Sequence, residues 1–196
     1  MQIKKIIAAF TLLALLFTVS CGKKPQDAST TSSSTTESET TAAPSPAEQI
    51  LAGMTTEQKI AQLLVAGIAG TEAGADGTSA VADYQVGGII LFGRNVSDSR
   101  QLTALTNQLK DLNGDYIPLI LCVDEEGGRV SRMPPEITDI PSAYTYGSLL
   151  NPTLLTRLGN TLGAECAAFG LNLDFAPVMD VFSNPNNTVI GNRAYS

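Results

Sequence analysis

The sequence predicts an α/β fold: a (β/α)8, TIM-type barrel of which this chain holds only about the first half. Three observations carry that expectation. Continuous apolar, β-branched runs alternate with amphipathic helical stretches, the pattern of buried parallel strands joined by right-handed crossovers. Polar clusters follow the strands directly, at Gly93–Asn95, Asp124–Arg129 and Ser183–Asn187, on the side where a barrel builds its site. No G-x-G-x-x-G or Walker A loop follows any strand, which counts against the open nucleotide-binding sheets.

The elements follow in order. Lys4 and Lys5 precede an apolar stretch from Ile6 to Val19. It is short of the roughly 20 residues of a membrane span, and residues 1–20 read as an export signal. The stretch Thr18-Val19-Ser20-Cys21-Gly22 resembles a bacterial lipobox, with Thr18 where an aliphatic residue is usual. That resemblance implies lipidation of Cys21 and a protein held at the bacterial cell membrane by its lipid anchor alone, facing away from the cytoplasm. Residues 21–46 read as a tether. Twelve of the nineteen residues from Ser29 to Ala47 are Ser or Thr, and apart from two prolines no apolar residue exceeds Ala. Nothing there offsets the entropy of ordering.

The folded part is expected over 47–196. Ala47–Met54 carries a short amphipathic turn, Thr55 with Gln58 is spaced as a capping box, and Leu63–Gly70 reads as a first strand. Val86–Phe92 is a continuous apolar run, a strand buried on both faces. Asp98 with Gln101 is placed to cap a helix on which Leu102, Leu105, Leu109 and Leu112 share one face. Tyr116–Asp124 is the third strand. After a proline-containing loop, Asn151-Pro152 supplies an N-cap and N1 proline. Leu154, Leu155, Leu158, Leu162 and Phe169 then line a helix that Gly170 ends, and Leu171–Val181 is a fourth strand. Four strands, in a stretch well short of the about 250 residues of a typical barrel, point to the N-terminal part of a longer domain.

Composition removes several functions. With 12 Lys and Arg against 19 Asp and Glu, the chain carries −7 and has no basic run, so nucleic acid is not an expected partner. The absence of histidine excludes a Ser-His-Asp triad and an H-E-x-x-H zinc site within these residues. No D-x-[DN]-x-[DN]-G calcium loop is present, and neither a metal nor a cofactor is expected. Cys122, in an apolar strand, and Cys166, in a helical pattern, read as packed thiols.

The densest chemistry is Cys122–Pro135, "CVDEEGGRVSRMPP". A glycosidase pair must flank a sugar from two sides, its carboxyls about 5–5.5 Å or 6.5–9.5 Å apart. On an extended strand Asp124 and Glu126 share a face and Glu125 points the other way, so this run alone cannot be such a pair. A solvated loop and a polyol clamp remain open. A carboxylate accepts from adjacent hydroxyls while an arginine donates in a fixed fork; Asp124 with Arg132 offers both halves. Gly127-Gly128 would let the backbone approach a ligand closely.

Four stretches in order, "GGIILFGRNVSDSRQL", "VDEEGGRVSR", "LNLDFAPVMDV" and "NPNNTVIGNRAYS", resemble the N-terminal domain of glycoside hydrolase family 3. The bacterial β-N-acetylhexosaminidase branch is the nearest, and the resemblance runs from about Met54 to Ser196. It implies a (β/α)8-type barrel and retaining cleavage of terminal β-linked N-acetylglucosamine, with peptidoglycan fragments or chitooligosaccharides as substrates. It places Asp124, Arg132 and Arg193 on positions that hold the sugar. The family's usual D-Q-E-G-G-R stands here as D-E-E-G-G-R, a departure at Glu125 that matters little if that side chain faces away from the sugar. The family's Lys-His-Phe-Pro-Gly-His-Gly segment, acid–base pair and aspartate nucleophile have no counterpart up to Ser196. The resemblance therefore implies that activity belongs to a longer parent and that this stretch alone is inactive.

Two alternatives stand beside the hexosaminidase expectation: a β-glucosidase or other family 3 specificity, and a lipid-anchored sugar-binding protein without catalysis. Arg94-Asn95 could line the pocket or brace loops. Asp174 and Asp180 are expected to be hydrogen-bonded to backbone and to Arg or Asn neighbours rather than to act in catalysis, and Ser183–Asn187 is first of all turn chemistry, with a place in the pocket wall as the alternative.

Overall fold

The computed structural model describes residues 43–196. The export segment, Cys21 and most of the tether lie outside the described residues. Ser45 caps helix α1 (Pro46–Gly53) in a capping box with Glu48. Helix α2 (Thr56–Ala61) begins with the expected box, Gln58 N donating to Thr55 Oγ1 at 3.2 Å and Thr55 N to Gln58 Oε1 at 2.9 Å.

Strands β1 (Val65–Gly67), β2 (Gly88–Leu91), β3 (Ile120–Val123) and β4 (Leu173–Asp174) form one parallel sheet in sequential order. Between them run helix α3 (Gly74–Thr78), continued by a π-helical turn at Ser79–Asp83, and the amphipathic helix α4 (Ser99–Asn113). Helices α5 (Ala143–Ser148) and α6 (Pro152–Ala168) separate β3 from β4. The caps predicted for α4 and α6 are present: Gln101 N donates to Asp98 Oδ1 at 2.8 Å and Leu154 N to Asn151 Oδ1 at 3.1 Å. Two elements carry no strong sequence signal, α3 with its glycines and the single-turn α5.

The core lies between one face of the sheet and the helices. Ile89, Leu91, Leu121 and Val123 pack against Leu102, Leu105 and Leu109 of α4 and against Cys166 and Phe169 at the end of α6. Each such side chain contributes about 1.5–3 kcal/mol when fully buried, so the leucine stripe of α4 is the main adhesive. The expected fourth strand is cut to two residues. Phe175 N still donates to Val123 O at 2.9 Å, but Pro177 has no N–H to continue a ladder. Beyond it the chain runs without strand structure to a 3-10 turn at Gly191–Arg193. Among the described residues β1 and β4 are the sheet's edges, and no helix is long and apolar enough to cross a membrane.

Candidate functional site: the loop after the third strand

The ladder of β3 pairs Val123 with Asp174 and then stops. Alternation along the strand puts Asp124 on the side of Cys122 and Glu125 on the helix-packed side of Val123. Burial follows: the Asp124 side chain is 27% exposed, whereas Glu125 is 1% exposed. The Glu125 carboxylate accepts from Ser131 Oγ at 2.9 Å and from Arg132 N at 2.6 Å. Its own backbone N donates to Asp174 Oδ1 at 2.8 Å. Glu125 does face away from Asp124, but it is the pin on which the loop closes.

Asp174 thus bonds to backbone, as expected. Burial pushes its carboxyl up to about 6; the Glu125 N–H opposes that rise, and the charges of Glu125, Asp124 and Glu126 add to it. Asp180 is exposed.

Asp124 and Arg132 face each other across 3.9 Å, Oδ2 to Nη2, both about a quarter exposed. That separation is an ion pair and too long for a hydrogen bond. The Arg132 fork is largely unspent: Nη1 donates to Ser131 O at 3.1 Å, and Nε has no partner among the described residues. A carboxylate and a guanidinium with free bonding capacity, side by side at the mouth of a strand, can take adjacent hydroxyl or carbonyl oxygens of a polar ligand.

Arg193 is held elsewhere. Its Nε and Nη2 donate to the two Glu126 oxygens at 2.8 and 2.7 Å, a bidentate pair whose acid is 5% and whose base is 25% exposed. The bond to Glu126 raises the guanidinium pKa further above its ordinary value. Arg129 latches the same segment, its Nη2 donating to the carbonyls of Thr188, Val189 and Ile190. Glu126 and Arg129 therefore bring the Ser183–Ser196 stretch, and Arg193 with it, to the loop.

Gly127 and Gly128 have φ of 77° and 60°, the left-handed region that favours glycine. They meet the chain itself rather than a ligand. A Cβ on Gly127 would lie 2.9 Å from Pro141 O and one on Gly128 2.8 Å from Ser142 Cα. Gly128 N donates to Ile140 O at 2.7 Å. The expectation of ligand approach is corrected to close packing on the 140–142 segment.

The open question at Arg94-Asn95 resolves toward bracing. Buried Asn95 accepts from Phe92 N at 2.9 Å and donates to the carbonyls of Ile68 and Gly70 at 3.1 and 2.7 Å, while Arg94 donates to Ile68 O and stacks over Phe92. Cys122 and Cys166 are free and buried. Among the described residues no group of His, Cys, Asp and Glu could hold a metal ion.

Beside the loop lies a cavity of about 510 Å³ lined by Glu126, Leu155, Leu162, Asp174, Ala176 and Arg193, among others. Its walls are mostly apolar, and Asp124 and Arg132 are not among its lining residues. Its charged lining residues are Glu126, Asp174 and Arg193.

Residues 55–196 match the family model described as the glycosyl hydrolase family 3 N terminal domain. This chain belongs to glycosyl hydrolase family 3. Among curated relatives, Beta-hexosaminidase LpqI of Mycobacterium tuberculosis is 35% identical over 190 residues, covering 93% of this chain and 47% of that protein. Among solved structures, the family 3 β-N-acetylglucosaminidase of Paenibacillus sp. str. FPU-7 aligns with a TM-score of 0.70 at 36% identity, covering 72% of this chain and 27% of that one. NagZ of Neisseria gonorrhoeae, in complex with N-trifluoroacetyl-D-glucosamine, aligns with a TM-score of 0.60 at 34% identity, covering 67% and 40%. The chain spans less than half the length of the curated relatives it matches. The family's fold is TIM-barrel-like α/β, consistent with the parallel sheet and its helices.

Of the three residues expected to hold sugar in this family 3 domain, the structure brings Asp124 and Arg132 together and puts Arg193 on Glu126. Sequence reasoning missed Glu126, Arg129, Ser131 and the inward role of Glu125. Glu126 and Arg193 are 67 positions apart, and no local pattern links them. The i, i+6 relation of Glu125 and Ser131 lies inside a tight loop whose two glycines were its only signal.

Proposed function

We propose that the full-length polypeptide is a retaining exo-β-N-acetylhexosaminidase that removes terminal N-acetylglucosamine from peptidoglycan fragments or chitooligosaccharides. In this reading Asp124 and Arg132 grip the sugar, Arg193 completes the subsite, and the nucleophile and acid–base lie outside the 196 residues described by this sequence. The observation that carries it is the Asp124/Arg132 pair, 3.9 Å apart, not hydrogen-bonded to each other and each about a quarter exposed, in a chain whose relatives are named hexosaminidases. The sheet is read as one part of a (β/α)8 barrel. Support comes from its two edges, unpaired among the described residues, and from exposed apolar residues beside each, Leu63 to Val65 near β1 and Phe175 and Met179 after β4, surfaces of the kind that neighbouring strands and helices cover.

Attachment to the outer face of a bacterial membrane through Cys21 belongs to the same proposal and rests on the lipobox-like stretch and the Ser/Thr tether. The test is hydrolysis of nitrophenyl β-N-acetylglucosaminide and nitrophenyl β-glucoside by the full-length polypeptide. Preference for the N-acetylglucosaminide is expected. Preference for the glucoside would replace this specificity by the β-glucosidase one. Binding of N-acetylglucosamine without turnover of either substrate would leave a sugar-binding protein.

A further inference from the structure

We propose that Glu125 is the positioning residue of the Asp124/Arg132 clamp, and that it acts as a buried hydrogen-bond acceptor. The proposal rests on the sugar-gripping role of that clamp. The Arg132 side chain has little of its own to fix it: one bond to the neighbouring Ser131 carbonyl, an orphaned Nε and Asp124 beyond hydrogen-bond reach. Where its guanidinium stands depends on its backbone, and the bonds that tie Ser131 and the Arg132 amide back to the end of β3 converge on one atom, Glu125 Oε2. That oxygen takes both the Ser131 hydroxyl at 2.9 Å and the Arg132 amide at 2.6 Å.

Glu125 is itself fixed from outside the loop. Asp174 of β4 accepts its backbone N–H, and the next residue closes the turn, Glu126 N donating to Val130 O at 3.0 Å. A chain of contacts thus runs from β4 through Glu125 to Arg132, while Asp124 is placed directly by β3. The two halves of the clamp come from different supports, and Glu125 brings one to the other. The role needs an acceptor oxygen rather than a charge. A glutamine amide oxygen can serve it.

The experiment uses the full-length polypeptide, with N-acetylglucosamine titrated calorimetrically into wild type, Glu125→Ala, Glu125→Gln, Arg132→Ala and the Glu125→Ala/Arg132→Ala double variant. Two bonds to a buried carboxylate are lost in Glu125→Ala, and affinity is expected to fall about tenfold or more. Glu125→Gln should stay within about threefold of wild type. The double variant should bind no more weakly than Arg132→Ala, because both act through one group. Unchanged affinity in Glu125→Ala, or losses that multiply in the double variant, overturns the proposal. Should Glu125→Ala fail to fold, Ser131→Ala removes one of the two donors and is expected to weaken binding in the same direction; no effect there overturns it. Hydrogen exchange gives a readout that needs no sugar. The Arg132 amide should exchange faster in Glu125→Ala while β2 amides keep their protection, and unchanged Arg132 protection overturns the positioning. If Arg132→Ala binds sugar as wild type does, the sugar reading falls, and the positioning is then decided by the exchange result alone.

Discussion

Replacing Arg193 by alanine should destabilise the fold more than replacing Glu126, although both changes delete the same ion pair. The pair makes two short charge-assisted bonds, 2.8 and 2.7 Å. The difference lies in what each deletion leaves behind. The Glu126 side chain is 5% exposed and Arg193 is 25% exposed. Arg193→Ala abandons a carboxylate that water scarcely reaches, close to Asp174 and its neighbouring acids, and breaking a buried pair in that way costs about 3–5 kcal/mol. Glu126→Ala leaves a guanidinium that can turn to solvent and keeps its bond to Val189 O, which lowers the loss to about 1–2 kcal/mol. Urea unfolding of the full-length polypeptide with each single variant and the double variant reads both numbers and their coupling. Arg193→Ala should lose more, and the double variant should lose less than the two singles together. Equal losses, or a larger one for Glu126→Ala, would refute the reasoning from burial.

Two further outcomes follow from the same environment. Asp174 has its folded-state pKa at about 6 against an ordinary 3.8. The folded protein therefore holds a proton that the unfolded chain releases between those values. Stability from this group is full below about pH 4 and is lost as pH rises through 6. Asp174→Asn keeps the acceptor for Glu125 N and removes the charge. It should be about 1–2 kcal/mol more stable than wild type at pH 7, after allowance for solvent screening of a half-buried group, and level with it near pH 4; thermal melts that stay parallel across that range would contradict this. Burial pushes the Cys122 thiol up to about 11 and the Cys166 thiol up to about 12, with nearby carboxylates adding to both. With Cys21 replaced by serine, a thiol reagent at pH 8 should modify neither until the protein is unfolded, and fast native labelling of either would refute their burial.

What the sequence disclosed depended on how local each cause was. The helix caps at Thr55, Asp98 and Asn151 and the leucine stripe of α4 are set by residues within a turn or two, and they stand as read. The parallel strands were legible because Ile89, Leu91, Leu121 and Val123 are apolar on a buried face. The fourth strand was overestimated, since the apolar run Leu171–Val181 looks continuous while pairing ends at Asp174 and Pro177 cannot extend it. Within the site, Asp124 and Arg132 were legible as a matched acid and base eight positions apart in a single loop. The tie of Arg193 to Glu126 was not, because the bond joins segments that only the tertiary fold brings together. Glu125 shows the same limit from the other side. Strand alternation gave its direction, but that the inward carboxylate holds the Arg132 amide depends on the shape of a loop bent by Gly127 and Gly128.

In the proposed function the loop after β3 grips a terminal N-acetylglucosamine between Asp124 and Arg132. Calorimetric titration of that sugar into the full-length polypeptide, wild type against Asp124→Asn, tests it most directly. Asparagine keeps the shape and loses the charged acceptor, so affinity should fall about tenfold or more with the thermal transition little changed. Undiminished affinity in a folded Asp124→Asn protein would exclude a sugar-gripping role for Asp124.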